Sequence, residues 1–124
     1  MKHFAPIIAV ALAGCATAPA TNDGLAYARI GETAYVDGPE VTPLALLEDS
    51  RCPSDAQCVW AGRVRISARI DLGSASETHE LTLGTPLSVA DGSLELRKVT
   101  PPPKADKAIA PSDYRFGFRF MGGL

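Results

Sequence analysis

The sequence is poor in the side chains that do chemistry. It has two histidines, His3 and His79, and three cysteines, Cys15, Cys52 and Cys58, among 124 residues. A zinc site needs four ligands, and Cys52 and Cys58 find at most His79 far away in sequence to join them. Their C-x5-C spacing is not the C-x-x-C of a redox pair. No G-x-S-x-G elbow supplies a nucleophile, and no set of residues falls into the roles of nucleophile, base and orienting group. A carboxylate pair for glycoside hydrolysis would have to be assembled from distant Asp and Glu, and nothing singles one out. The formal charge of −2 carries no clustered basic patch, which argues against nucleic acid. No stretch beyond the first residues shows a helical period, and no repeat is visible.

The opening MKHFAPIIAVALAGC is organised. Lys2 precedes an uncharged apolar run from Phe4 to Ala13, then small residues and Cys15. A spanning helix needs roughly 20 apolar residues, so this run is too short and reads as a secretory leader. Leu12-Ala13-Gly14-Cys15 resembles the lipobox of bacterial lipoproteins, in which cleavage precedes a cysteine that is then lipidated. The resemblance implies that residues 1–14 are removed, that Cys15 is the lipidation site, and that residues 15–24 tether a domain spanning 25–124. It implies a cell-envelope protein whose partner is the membrane through its lipid anchor. Ala16, where a retention signal would place aspartate, points to the outer membrane of a Gram-negative bacterium with the body in the periplasm.

That compartment is oxidising, so Cys52 and Cys58 are expected to form a disulfide around Pro53. Trp60 is expected to pack beside it as a core plug, with Gly62 providing a bulge or a close backbone approach. An exposed Trp60 forming a contact surface is the alternative. Glu48-Asp49-Ser50-Arg51-Cys52-Pro53 and Cys58-Val59-Trp60-Ala61-Gly62, followed by Leu96, Val99, Pro101 and a final strand from Tyr114, resemble a signature of uncharacterised bacterial secreted and lipoprotein domains. The resemblance implies compartment and fold and carries no activity with it.

Alternation gives the architecture. In residues 63–72, Val64, Ile66, Ala68, Ile70 and Leu72 face one way. A four-residue loop at Gly73–Ser76 would set Ile70 opposite His79, Ala68 opposite Leu81 and Ile66 opposite Leu83, with Arg69 meeting Glu80. His79 then points inward, as a core or rim histidine. Asp91-Gly92 reads as a type I′ turn pairing Val89 with Leu94 and Leu87 with Leu96. The phase break at Arg97-Lys98 predicts a bulge. Tyr114, Phe116, Phe118 and Phe120 form one face of the last strand. Residues 25–36 and 41–48 read as strands around Asp37-Gly38-Pro39, and Pro101 to Asp113 as a surface crossover. The fold expected is all-β, an antiparallel sandwich or small barrel of about seven strands.

Such a scaffold displays two loops, 49–57 and 101–113. The expected function is a non-catalytic binding or structural role, with no cofactor, no metal, and an envelope protein as a candidate partner. The candidate binding residues are Asp49, Arg51, Ser54, Asp55, Gln57 and Trp60. An inhibitor that presents the Cys52–Cys58 loop to an enzyme is the alternative, and it requires an exposed, rigid loop tip. Arg63, Arg65, Arg69, Arg115 and Arg119 could form a basic face, although a solvated face offset by Glu77 and Glu80 is the simpler expectation.

Overall fold

The computed structural model describes residues 23–122. Residues 1–14, Cys15 and nearly all of the expected tether lie outside them. Eight strands occur: β1 (Ala26–Ala28), β2 (Ala34–Tyr35), β3 (Glu40–Asp49), β4 (Val64–Asp71), β5 (Ser76–Thr82), β6 (Leu87–Val89), β7 (Gly92–Thr100) and β8 (Arg115–Gly122). They form two antiparallel four-stranded sheets, ordered β1-β8-β7-β6 and β2-β3-β4-β5. The sheets do not close into a barrel, so the sandwich is the architecture. A short 3-10 turn at Pro111–Asp113 is the one helical element among the described residues.

The core is the set of inward positions that alternation picks out. Val64, Ile66, Ala68 and Ile70 of β4 face Leu94, Leu96, Phe116 and Phe118 of the other sheet, and all are buried. Phe116 and Phe118 are the largest fully buried side chains, and at about 25 cal/mol per Å² of apolar surface they dominate the burial term. Tyr114 stacks on Phe116 with ring centroids 5.7 Å apart. The expected bulge is present between Leu96 and Lys98.

Two hairpin registers differ from expectation by two residues. Gly73, with φ of 89°, and Ser74 form a tight turn closed by the Leu72 amide donating to the Ala75 carbonyl. Ala68 therefore faces His79, Ile66 faces Leu81, Ile70 faces Glu77, and Arg69 meets Thr78 rather than Glu80. In the next hairpin the turn centres on Ala90-Asp91, with Leu87 opposite Leu94 and Val89 opposite Gly92. Gly92 is not a turn residue. A Cβ there would lie 2.1 Å from the Met121 carbonyl oxygen, so the glycine serves the close approach of β8. A slip of two keeps every inward residue inward, because the side-chain period is two.

Other expectations are corrected as well. The stretch 25–36 is not one strand but β1 and β2, in different sheets. Residues 101–113 are not a crossover, because β7 and β8 are adjacent partners and the segment is a long hairpin loop. His79, by contrast, is the rim histidine expected on the inward face, with 36% of its side chain exposed and Nε2 2.8 Å from Glu77.

The topology gives the sandwich two ends. The turns 37–39, 72–75 and 90–91 lie at one end, together with the C-terminal end of β8. Because Ala26 pairs with Phe118 and Ala28 with Phe116, the chain N-terminal to β1 runs toward that same end. The segments 50–63 and 101–114 lie at the opposite end, where β3 and β7 finish and β4 and β8 begin.

Candidate functional site

Strand β3 ends by delivering two carboxylates to opposite faces. Bulges after Pro43 and Leu46 leave Leu44 and Leu47 as the extra, exposed residues and bring Leu46 inward. Glu48 then pairs with Arg65 on the outer face, and Asp49 pairs with buried Val64 on the inner one. The two neighbours therefore cannot act as a carboxylate pair.

Asp49 is the centre of an inward cluster. Arg51 Nε donates to its Oδ1 and Nη2 to its Oδ2, both at 2.9 Å, and the Tyr114 hydroxyl donates to Oδ2 at 2.7 Å. The same guanidinium donates to the carbonyls of Val99 at 2.9 Å and Pro101 at 3.1 Å. The fork geometry of arginine suits this double task. The Arg51 and Asp49 side chains are only 14% and 10% exposed. Burial pushes the Asp49 carboxyl up, but the hydrogen bonds from Arg51 and Tyr114 outweigh it and hold the group below its ordinary range. Burial and the Asp49 carboxylate push Tyr114 up to about 12.

Above this cluster the cysteine loop closes on itself. Cys52 and Cys58 form the expected disulfide, with Cα atoms 5.8 Å apart. At the neck, the Ser50 amide donates to the Arg63 carbonyl at 2.8 Å and the Arg63 amide to Ser50 Oγ at 2.9 Å. Gly62 makes this neck: its φ is 71°, and a Cβ would sit 1.8 Å from the Ser50 carbonyl oxygen. The close approach expected at Gly62 is thus present.

The loop is also fastened to the long 101–113 connection. Ser54 donates through its amide at 2.8 Å and its hydroxyl at 3.1 Å to the Pro103 carbonyl. Asp55 Oδ1 accepts from the Ala105 amide at 3.0 Å. These bonds satisfy backbone groups of a proline-rich segment that cannot pair in a sheet. Of the candidate residues, Asp49, Arg51, Ser54 and Asp55 are therefore brought together as a brace, while Gln57 is exposed on the loop.

Trp60 is not the core plug. It is 69% exposed and Val59 is 90% exposed. The neck at Ser50 and Arg63 keeps the tip outside the sandwich, and Arg51, Asp49 and Tyr114 fill the space beneath that an indole would need. An exposed apolar pair between the disulfide ring and the neck is a candidate contact surface. Sequence reasoning missed Tyr114 as a member of the cluster, because its pairing with Asp49 spans 65 residues.

The arginines do not share a face. Arg63 and Arg65 are both held by Glu48, Arg65 also by Glu80 at 2.6 Å, and Arg69 lies 3.4 Å from Asp71. Arg115 and Arg119 lie on β8 of the other sheet. The basic outer face of β4 is thus offset by carboxylates, as expected, though Glu48 and Asp71 join Glu80 in place of Glu77. Hydrogen bonds from Arg63 and Ser50 lower the Glu48 carboxyl to about 2.

No family model, no curated protein and no solved structure matches this chain.

Proposed function

We propose that this chain is a lipid-anchored envelope protein with a non-catalytic binding role, tethered through Cys15 and binding a partner through the Val59-Trp60 tip. The observation that carries the reading is the exposure of this apolar pair in the short span between Cys58, which ends the disulfide ring braced by Arg51, Ser54 and Asp55, and the neck at Gly62. An exposed aromatic on a preorganised loop contributes contact area at low ordering cost, which is how binding hot spots are built. The position of the loop supports the same reading. The described chain starts toward one end of the sandwich and the loop stands at the other. A tether from Cys15 would leave the loop facing away from the membrane that holds the anchor.

Inhibition of an envelope or foreign enzyme is the second reading, favoured by a disulfide-closed loop on which Ser54, Asp55 and Gln57 are exposed. The test uses the full chain in detergent, immobilised and exposed to solubilised envelope from its host, beside a Val59→Ser/Trp60→Ala variant. A protein retained by the native chain and released by the variant supports the binding role; identical retention on both removes the tip as the contact. Labelling with a radioactive fatty acid checks the anchor: incorporation should vanish in Cys15→Ser.

A further inference from the structure

The long loop between β7 and β8 carries a second feature. Lys104 and Lys107 are partners in an isolated antiparallel bridge, with the Lys107 amide donating to the Lys104 carbonyl at 3.2 Å. Directly opposed residues of such a pair project their side chains from the same face, with Cβ atoms about 5 Å apart. Like charges placed so are destabilising unless a counter-charge joins them. Among the described residues neither ammonium has a carboxylate within 4.0 Å.

The two lysines line a cleft of about 280 Å³ with Pro101, Pro102, Ile109 and Asp113. Its size, just below the usual range of ligand sites, offers room for a single ring such as one sugar residue. The segment that forms it is clamped to the cysteine loop through Pro103 and Ala105, so little ordering remains to oppose binding. Two ammonium donors, one carboxylate acceptor and an apolar wall are an unusual combination. An inorganic anion would use the lysines but leave the apolar wall idle and give Asp113 no hydroxyl to accept. A neutral sugar would leave the lysine pair without its counter-charge.

We infer that the Lys104–Lys107 cleft binds a carboxylate-bearing sugar of a glycan. The lysines hold the carboxylate, Asp113 accepts a hydroxyl, and Pro101, Pro102 and Ile109 cover the apolar ring face. This deepens the proposed binding role and rests on it for its setting, since the cleft lies at the same end of the sandwich as the Val59-Trp60 tip.

Saturation-transfer NMR on the full chain in detergent tests it, with N-acetylmuramic acid as the acidic probe and N-acetylglucosamine as its counterpart without the carboxylate. The acidic sugar should receive saturation at least ten times more strongly than the neutral one. The signal should disappear in Lys104→Gln/Lys107→Gln and weaken with added salt, while Val59→Ser/Trp60→Ala leaves it intact. Equal signals from the two sugars, no signal from the acidic one, or a signal that survives the double lysine variant would overturn the inference. A unfolding midpoint unchanged by the lysine substitutions shows that loss of signal is not loss of fold. Failure here leaves envelope retention by the tip untouched, so the two proposals fail separately.

Discussion

Glu48 and Asp49 are adjacent carboxylates, each paired with arginine, and they live in different media. Glu48 lies on the outer face of β3, shared between Arg63 and Arg65, and Arg63 is 59% exposed. Asp49 lies inward, with Arg51 and Tyr114 around it and little access to water. Water and salt screen the first network, so its ion pairs contribute little to stability. The second has been desolvated, so each of its groups depends on the others being present. The outer network decorates a sheet; the inner one ties the end of β3 to β7, to both loops and to Tyr114 at the entry to β8.

The sharpest way to break this contrast is Arg51→Met, which leaves Asp49 desolvated without its partner and strands the Val99 and Pro101 carbonyls. The expected loss is about 3 kcal/mol, at the low end for breaking a buried pair because some of Asp49 remains open to water. Urea unfolding should show it as a lowered midpoint, and a loss under about 1 kcal/mol would place the cluster with ordinary surface pairs. Next is Cys52→Ser/Cys58→Ser. The chain-entropy estimate for a loop of this length is about 2.4 kcal/mol. Because the neck and the brace hold the loop independently, hydrogen exchange at Ser54 and Ala105 should rise only in proportion to that global loss. A far larger local rise would show the disulfide to be the main brace.

Tyr114→Phe removes one hydrogen bond to a charged group and should cost about 1.5 kcal/mol. It also has a pH signature. The hydroxyl is raised to about 12 in the fold, so its contribution is complete below the ordinary value of 10.0 and disappears as pH rises from there to about 12. Tyr27, hydrogen-bonded to Asp23, is likewise raised to about 12. The variant should therefore lose part of the alkaline decline in stability and keep the Tyr27 part. The smallest effect is expected for Glu48→Gln, near the scatter of a midpoint measurement and smaller still at high salt. Glu48 is lowered from 4.5 to about 2, so its contribution is present above 4.5 and fades as pH falls through that window. The variant should have a shallower acid limb there. Asp49 is also depressed, and its share of the acid decline should survive in the Glu48 variant and vanish in Arg51→Met.

What the residues reveal by themselves is which way each strand faces. Val64, Ile66, Ala68 and Ile70, then Phe116 and Phe118, are buried as their alternation requires, and the disulfide expected between Cys52 and Cys58 is present. The bulge near Arg97-Lys98 was legible for the same reason, a break in period. Register was not. Both hairpins slipped by two because a period of two is blind to such a slip, and the deciding contacts were a positive φ at Gly73 and the approach of Met121 to Gly92.

The candidate site was legible in part. Asp49, Arg51, Ser54 and Asp55 stand in the stretch that the cysteines marked, but their tasks depend on Val99, Pro101, Pro103, Ala105 and Tyr114, far along the chain. The sequence determined the antiparallel all-β class, its inward faces and its staple, because these follow from local periodicity and short-range spacing. The pairing of distant strands into two open sheets decided sandwich over barrel. Only the tertiary structure decided that Asp49 is caged and Trp60 is exposed, because both depend on which distant groups fill the space beneath the loop.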